Sequence, residues 1–579
     1  MNKIGRSAAV AAVFAVGVGL AGCVWAGKSE APSGDATGVV QAVGKSIKLD
    51  VDLTVKPIKD QRNLSTAPVL GYAGVLNRNY EDLYNTNKYN TALAMKKAGA
   101  WLQRQWSGFG DWQADKKNNY RNVTLLFQFM KDNGFRQIMN LEQWNAIDPA
   151  TGKKTNDINV VKYAIADYLK WIRDNGFKDT VAGFELGNET YFDRAPESTA
   201  ARWKVIVPEI KKVWPDAKLG IPMAEYLATD PDLEAVRNRG KKQEWVKDAG
   251  FYEFNPHNQW SLRFVEALGD TIKDVTHVIY HFYGAEPPYG CTYLGFERIR
   301  NFAKLCPQVA DKKVWITEWR ERSDENGIAW RFFYTALWRT HYLLTALAHE
   351  EVEAMNLHCF DSIANMVSTP DGWIYQLDSG LNYMKDYWNV GPMRFERNVV
   401  GATYNLLTTA LKQCPVVLRH GNSSTESEES YKTSARFYES TVTHLRALYA
   451  GKTGKEIPAV DGDVEYLVTV NRPGKDADMM IILMVNTTDK PAEIKLTVPG
   501  KRLCNPIYRT LQCYDGMLYA AEVPGDGRPW YERAWIDPVG ADPINFWSNA
   551  SAAPLERTIT IAPNTIQTVG VPLKPYVKK

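Results

Sequence analysis

Two glutamates stand at the ends of short apolar segments, where their carboxyl groups could act as a pair. Glu189 follows the segment VAGFELG (181–187) and Asn188, and Glu318 ends the segment KVWITE (313–318). Cleavage of a glycosidic bond uses such a pair: one carboxylic acid protonates the departing oxygen, and the other attacks the anomeric carbon or activates water. A separation of about 5–5.5 Å between the carboxyl groups would specify retention of configuration. The residue types therefore favour acid–base and nucleophilic chemistry on sugars.

Further polar and aromatic residues lie at or just after the ends of other apolar segments. These candidates for substrate contact are Arg104, Glu142, Trp144, Asn188, His281, Tyr283 and Trp319, and Trp106 offers another aromatic face. Each candidate has a structural alternative. Asn188 and Glu189 could be the N-cap and first-turn acid of a helix, and Glu318 could form a surface ion pair. His281 could equally belong to the core, and for any single tryptophan core packing is the more common outcome.

Between residues 68 and 413, short apolar segments alternate with longer stretches of helical periodicity. The strand segments are VLGYAGVL (69–76), AWLQRQW (100–106), FRQIMNL (135–141), VAGFELG (181–187), AKLGIP (217–222), VTHVIYHF (275–282), KVWITE (313–318) and VEAMNLH (352–358). The helical stretches are 119–133, 157–174, 198–213, 328–349 and 394–412. Eight such repeats predict an α/β protein with a (β/α)8 TIM barrel, whose reacting groups sit at the carboxyl ends of the strands. A doubly wound sheet is the rival, but GYAGVLN is not the Gly-rich phosphate loop of that fold.

After about residue 430 the helical pattern stops, and short alternating segments predict an accessory all-β sandwich. These segments are EYLVTVN (465–471), MMIILMVN (479–486), EIKLTV (493–498), RTITIA (557–562) and TIQTVGV (565–571). SIKLDVDLTV (46–55) alternates in the same way, so we expect it to join the sandwich. The predicted boundaries are 46–60 for this N-terminal strand, 61–415 for the catalytic barrel and 416–579 for the C-terminal sandwich.

The N-terminus has the pattern of a secretory signal, with Lys3 and Arg6 before a short apolar run. The run closes on Leu-Ala-Gly before Cys23, which resembles a bacterial lipobox. That resemblance implies a signal peptide at 1–22, lipidation of Cys23 and a flexible tether at 23–45. We therefore expect an exported lipoprotein anchored to a membrane, with the outer membrane or cell surface as the default. An ordinary cleaved signal with an incidental cysteine is the alternative.

Composition excludes some partners. The chain of 579 residues has a net charge of only +3, which gives no basic field for nucleic acid. Apart from Cys23 there are six cysteines, and local disulfides between Cys291 and Cys306 and between Cys504 and Cys513 are plausible in an exported protein. No C-x-x-C or clustered metal-ligand spacing occurs, so we expect no metal or organic cofactor.

The sequence Asn188-Glu189 after the fourth strand, with Glu318 ending the seventh, resembles the retaining (β/α)8 glycosidases of clan A. The motifs GFELGNE and VWITEW are most similar to the α-L-arabinofuranosidase, β-xylosidase and β-glucuronidase or heparanase-like members, which also carry a β-sandwich with an N-terminal strand. The resemblance covers residues 46–579 in architecture but only short motifs in sequence.

The resemblance implies a role for each matching position. Glu189 would be the general acid/base, Glu318 the nucleophile, and Asn188 a hydrogen-bond partner of the sugar 2-hydroxyl. Tyr283 would contact the nucleophile and His281 would orient the site. A further matching position, Arg104, would hold Glu318 ionised, because a neighbouring guanidinium lowers a carboxyl pKa by about 1–3 units.

The chain also departs from the family pattern. Ile316-Thr317 precedes the nucleophile where arabinofuranosidases carry a different pair, and strand eight ends in LHCF (357–360) where many members place a tryptophan. These departures bear on the substrate more than on the reaction class.

The sequence therefore predicts a retaining O-glycoside hydrolase acting on plant or algal polysaccharide, or on oligosaccharides derived from it. An arabinofuranosidase- or xylosidase-like exo activity is the first choice, and an endo-acting glycanase such as an agarase is the alternative. A transglycosylase would share every residue named. A surface lipoprotein that binds polysaccharide without cutting it is the rival from another class.

Overall fold

Eight parallel strands close into a barrel in the computed structural model of the chain. Their bounds are β1 (Leu70–Ala73), β2 (Leu102–Trp106), β3 (Arg136–Asn140), β4 (Val181–Glu185), β5 (Leu219–Pro222), β6 (His277–Gly284), β7 (Lys313–Glu321) and β8 (Val352–His358). Neighbours in the barrel are neighbours in the chain, and β8 closes the ring by pairing with β1. The predicted TIM barrel is confirmed. Six of the predicted segments contain their strand, while β6 and β7 extend beyond the predicted ends at 282 and 318.

The structure describes residues 44–73, 91–106, 108–141, 144–191, 194–224, 256–284, 295–321, 333–358, 364–368, 374–375, 393–397, 399–423, 464–512 and 553–576. The predictions from sequence that fall outside these residues concern the signal peptide, the tether up to residue 43, Cys23, Glu142, Cys291 and Cys513. Among the described residues, no helix has the length and hydropathy needed to cross a membrane.

Helices surround the barrel and follow the predicted stretches. The described α-helices are α1 (Thr91–Lys97), α2 (Phe109–Ala114), α3 (Arg121–Asn133), α4 (Ile158–Asp174), α5 (Pro196–Val213), α6 (Pro256–Leu268), α7 (Gly295–Leu305), α8 (Phe333–Leu347) and α9 (Val399–Gln413). Short 3-10 helices lie at Gln61–Asn63, Asp115–Asn118, Lys178–Thr180, Gly269–Asp274 and Pro307–Val309. In α4 the side chain of Asp157 caps the helix, and Val161, Ile165, Tyr168 and Ile172 form its buried face. This spacing of three to four residues turns one apolar stripe towards the barrel.

The indole of Trp315 fills the interior of the barrel below the carboxyl ends of its strands. It belongs to a separate apolar cluster that draws on six of the strands: Leu102, Ile138, Ala182, Ile279, Trp315 and Ala354. Gly183 makes room for this ring, because a Cβ there would lie 2.2 Å from Cη2 of Trp315. Gly220 does the same on β5, where a Cβ would lie 3.0 Å from Cε3 of Trp315. The packed indole therefore gives the barrel a closed floor.

Two β-sheets pack face to face in the remainder of the chain. The larger sheet has the order Lys59–Asp60, Val416–Asn422, Val464–Val470, Met479–Asn486, Thr565–Pro575, Lys501–Leu503, with Ile507–Gln512 also paired to Thr565–Pro575. The smaller has the order Lys45–Asp50, Ala492–Thr497, Glu556–Ile561. Residues from both sheets, such as Leu49 and Ile482, share one apolar core, as in a β-sandwich. The N-terminal strand thus pairs with a strand more than 400 residues later in the chain, while the domain boundaries stay a prediction.

Two small sheets lie beside the barrel. Ala146–Ile147 and Lys154–Thr155 form a hairpin, and Ala364–Ser368 pairs with both Ile374–Tyr375 and Met393–Arg397. Elsewhere, Cys306, Cys414 and Cys504 are buried free thiols. The local disulfides that the cysteine spacing allowed are thus not formed by these described cysteines, while Cys291 and Cys513 lie outside the described residues.

Candidate active site

Four barrel strands bring charged side chains together at their carboxyl ends. Arg104 comes from β2, Glu185 from β4, His281 from β6 and Glu318 from β7. Glu189 joins them from the turn after β4. The side chains range from complete burial at Glu185 through 10% exposure at Glu318 to 26% at Glu189. The most exposed carboxylate therefore lies nearest the mouth of the barrel.

The two predicted catalytic glutamates are close together. One carboxylate oxygen of Glu189, one of Glu318 and a ring nitrogen of His281 all lie within 4.8 Å of one another. This upper bound lies below the roughly 6.5–9.5 Å that leaves room for a water molecule between the carboxyl groups, as the shorter spacing of about 5–5.5 Å in retaining glycosidases also does.

The backbone after β4 turns sharply to present Glu189. Gly187 has a φ of 106°, and Glu189 has a φ of 45°, in the left-handed region that a glutamate rarely adopts. Helix α5 begins at Pro196 with Ala195 as its N-cap residue. Asn188 and Glu189 are therefore not the start of that helix, and the capping alternative does not apply.

Arg104 connects three polar side chains of the site. Its Nε and Nη2 donate to the two oxygens of Glu185 at 2.6 and 2.9 Å. Nη1 donates to Oε1 of Glu318 at 2.5 Å, and Nη2 also donates to Oδ1 of Asn188 at 2.6 Å. The predicted contact between Arg104 and Glu318 is present. Glu318 is thus a buried member of a charge network rather than a surface ion-pair partner.

His281 lies between the two predicted catalytic residues. Its Nδ1 is 3.0 Å from Oε1 of Glu189 and 3.7 Å from Oε2 of Glu318, while its Nε2 is 3.0 Å from Oγ1 of Thr317. Burial alone would lower the pKa of His281, but the charge of Glu318 and the hydrogen bonds to Glu185 and Glu189 raise that pKa to about 10. The ring is therefore an imidazolium at neutral pH and donates from both nitrogens.

Glu185 is a site residue that the sequence did not single out. Burial raises the pKa of this carboxyl, but the charge of Arg104 and the hydrogen bond from His281 outweigh burial and leave the pKa lowered. A glutamate inside the apolar strand segment VAGFELG was the available signal, because an acid is almost never fully buried without a partner.

Thr317 is the second residue that the sequence did not single out. In the pairing of β6 with β7, Tyr280 lies opposite Ile316 and His281 lies opposite Glu318, so Thr317 is the extra residue of a bulge. A bulge redirects the side chains that follow it. Here the bulge places the Thr317 hydroxyl between His281 and Glu185. It also places the carboxyl group of Glu318 among the site residues.

The buried cluster pairs two cationic side chains with two carboxylates. Arg104 contacts both Glu185 and Glu318, and His281 lies near the same two acids. Glu189, His281 and Glu318 each place one potential ligand atom within 4.8 Å of the others, a spacing that could hold a metal ion.

The other predicted contact residues have mixed placements. Trp319 is 4% exposed and packs against Tyr342, with ring centres 4.7 Å apart, so it lies in the layer beneath the helices and not with the carboxylates. Trp144 is stacked by Arg194, 4.0 Å from the ring centre, and by Arg202, at 4.6 Å. Trp106 is 38% exposed, with Arg104 5.7 Å from its ring centre.

Two predicted residues cannot be placed by their side chains. Tyr283 lies on the described backbone of β6, but its side chain is outside the described residues, as is Glu142.

Of the three tryptophans considered, Trp106 has the most accessible face near the carboxylates.

Neither a protein-family model nor a curated protein matches the sequence. Solved structures do match. A glucosidase from Croceicoccus marinus is 10% identical, with 92% of this chain and 99% of that chain covered and a TM-score of 0.50. A family 51 α-L-arabinofuranosidase from Bifidobacterium longum is 11% identical, with 91% and 99% covered and a TM-score of 0.50. A family 51 α-L-arabinofuranosidase from Thermotoga petrophila is 14% identical, with 90% and 99% covered and a TM-score of 0.49.

The chain has the fold of the first two of these enzymes, from Croceicoccus marinus and Bifidobacterium longum. The fold that the resemblance to clan A implied is therefore confirmed over nearly the whole length of the matching structures. Structural matches at 10–14% sequence identity show a shared fold but do not show a shared activity.

Proposed function

We propose that this protein is a retaining O-glycoside hydrolase in which Glu189 is the acid/base and Glu318 the nucleophile. The observation that carries the proposal is the pair of glutamates at the ends of β4 and β7, with oxygens within 4.8 Å of each other and different partners. Arg104 donates to Glu318, as a nucleophile that must stay ionised requires. Glu189 is the more exposed acid, as a group that exchanges protons with substrate and water requires.

The reaction proceeds in two balanced steps. Glu318 attacks the anomeric carbon while Glu189 gives its proton to the departing oxygen, so that the glycosidic bond breaks and a glycosyl-enzyme forms. Water then attacks the same carbon and gives a proton to Glu189, and the ester bond to Glu318 breaks. Two inversions give net retention. Asn188 accepts from Arg104 through Oδ1, which leaves its amide nitrogen to donate to the sugar 2-hydroxyl.

The proposed substrate is a plant or algal polysaccharide, or oligosaccharides derived from it. An exo-acting arabinofuranosidase- or xylosidase-like enzyme is the first choice, since the motif GFELGNE is most similar to those members and the matching structure from Bifidobacterium longum is named an α-L-arabinofuranosidase. The exposed ring of Trp106 offers a stacking surface for a sugar beside Arg104.

We further propose that Cys23 carries a lipid that anchors the mature protein to a membrane. The sequence LAGC (20–23) supports the proposal. Growth of an expressing bacterium with an alkyne fatty acid should label the wild type and not Cys23→Ser. Equal labelling of the two proteins, or none of either, would contradict the anchor.

The test of the enzymatic proposal is a hydrolysis panel of aryl glycosides and polysaccharides with residues 24–579. Wild type should release one sugar whose first-formed anomer, followed by proton NMR, has the configuration of the substrate. Release of single sugars from chain ends would indicate exo action, and release of larger fragments would indicate endo action. If wild type binds one glycan but cleaves nothing, and Glu189→Ala and Glu318→Ala bind it equally well, the protein is a polysaccharide-binding lipoprotein.

A further inference from the structure

Glu185 is the most deeply buried acid of the site, yet no step of the proposed reaction uses it. Its side chain is completely buried at the end of β4. An ionised carboxylate is costly to bury and persists only with good partners. Its donors are Arg104, through two nitrogens, and Thr317, whose Oγ1 lies 3.3 Å from Oε1 of Glu185. Nε2 of His281 is 3.5 Å from the same oxygen.

The contact with Arg104 fixes the orientation of the guanidinium. Because Nε and Nη2 both donate to Glu185, the planar group has one allowed rotation about its long axis. In that orientation Nη1 reaches Glu318 and Nη2 also reaches Asn188. Glu185 thereby determines where the partner of the nucleophile points.

The contact through Thr317 fixes the protonation of His281. A hydroxyl has a single hydrogen, so Oγ1 of Thr317 donates to Glu185 and accepts from Nε2 of His281. Nε2 therefore carries a proton, and Nδ1 carries one as well because it faces the ionised carboxylate of Glu318 at 3.7 Å, beside Glu189. The charged groups that face His281 are Glu185, Glu189 and Glu318, together with Arg104 on β2.

We propose that Glu185 is a positioning residue of this site, which holds Arg104 against Glu318 and keeps His281 charged beside Glu189. The inference rests on the proposed function, because its purpose is to prepare the two catalytic glutamates. It adds a third carboxylate to the site, one whose side chain is completely buried.

Two substitutions in the full chain separate the two parts of this role. Glu185→Gln keeps the shape and removes the charge, so His281 should titrate about 1–3 pH units lower than in wild type. The pH profile of kcat/KM should then gain an ionisation that wild type lacks. Glu185→Asp keeps the charge and shortens the reach to Arg104, so its pH profile should follow wild type while kcat falls by about 100-fold and KM changes little.

NMR of histidine labelled in its ring reports the protonation state of His281 and does not require enzymatic turnover. The chain has eight histidines, so His281→Gln identifies the resonance. Thr317→Val removes the linking hydroxyl but leaves the pair of Glu185 and Arg104 intact, and it should also move the His281 titration to lower pH. This variant keeps the test usable if Glu185→Gln does not fold.

Glu353→Gln is the matched control. Glu353 is a buried barrel glutamate paired with His277 and Lys218 near the amino ends of the strands. Its loss should lower stability and leave both the pH profile and the His281 titration unchanged.

The inference is overturned if His281 in Glu185→Gln or Thr317→Val titrates as in wild type, or if Glu185→Gln and wild type have superimposable pH profiles. Failure of the proposed function can be told apart from failure of this inference. If wild type proves inactive, the expected differences in His281 titration between wild type and the variants remain the same.

Discussion

At the scale of single residues, the site depends on one guanidinium that serves three partners. Arg104 donates to Glu185, Asn188 and Glu318 in one plane. A planar fork of five N–H donors can do this, and the ammonium group of a lysine cannot reproduce the geometry. The arginine thus fixes the distance between Glu318, the proposed nucleophile, and Asn188, the residue proposed to bind the sugar 2-hydroxyl.

Arg104→Lys should therefore lower kcat by about 100-fold or more with little change in KM, because the charge remains while the positions of Asn188 and Glu318 relax. Steady-state kinetics on the substrate found in the panel measures both constants. The control is Arg300→Lys, which alters an ion pair with Glu351 on the outside of the barrel and should leave kcat unchanged. A wild-type kcat in Arg104→Lys would show that the fork has no part in catalysis.

The sequence predicted the placement of Glu189, Glu318, Arg104 and His281 because each follows or ends a recognisable strand. It did not predict Glu185, since an acid that pairs with an arginine from another strand leaves no periodic signal. The position of Thr317 depends on a bulge between β6 and β7. A shift of one residue in register is invisible in the pattern of apolar residues, and it decides which side chain faces the site.

At the scale of elements, β4 and β5 each have a glycine where the indole of Trp315 fills the barrel. A Cβ at Gly183 on β4 would lie 2.2 Å from the ring, closer than a Cβ at Gly220 on β5. The strands themselves were predictable from the length and composition of their segments. The fit between the glycines and Trp315 was not, because it depends on contacts between strands far apart in the chain.

Gly183→Ala should lower the free energy of unfolding by about 1–3 kcal/mol through overpacking, because the added methyl group has no space beside Trp315. Urea denaturation followed by tryptophan fluorescence gives this value. Gly110→Ala in α2 is the matched control, since a Cβ at Gly110 meets no atom within 4 Å. Its stability should stay the same or rise by up to about 1 kcal/mol, as alanine is the better helix former. Equal stability of Gly183→Ala and wild type would mean that Trp315 does not pack against β4.

At the scale of the whole molecule, a buried glutamate joins the barrel to the β-sandwich. Glu465, on the strand Val464–Val470, pairs with His341 of α8 and with His420 of the strand Val416–Asn422, and accepts from Thr345 of α8 at 2.8 Å. Burial raises the pKa of Glu465, but the charge of His341 and the hydrogen bonds from His341 and His420 lower it to about 2. The sequence predicted both parts of the molecule but no contact between them, because such contacts follow no local pattern.

Glu465→Gln should lower the free energy of unfolding at pH 7 by about 3–5 kcal/mol, because it leaves buried partners without their anion. Since the folded pKa of about 2 lies below the ordinary value of 4.5, this contribution is complete above pH 4.5 and is lost as the pH falls towards 2. Denaturation at several pH values should therefore show the difference from wild type shrinking in acid. Glu556→Gln, at an exposed position of the sandwich, should match wild type at every pH. A difference that stays constant down to pH 2 would exclude this carboxylate as the cause.

Azide rescue of Glu318→Ala, on the aryl glycoside that wild type hydrolyses, tests most directly whether Glu318 is the nucleophile. The variant should not turn over in buffer, and azide should restore turnover by occupying the space of the lost carboxylate and attacking the anomeric carbon once. The product is then a glycosyl azide of inverted configuration, identified by NMR, and Glu353→Ala should hydrolyse normally and form none. Wild-type turnover by Glu318→Ala without azide, or an azide product that retains the configuration of the substrate, would contradict Glu318 as the nucleophile.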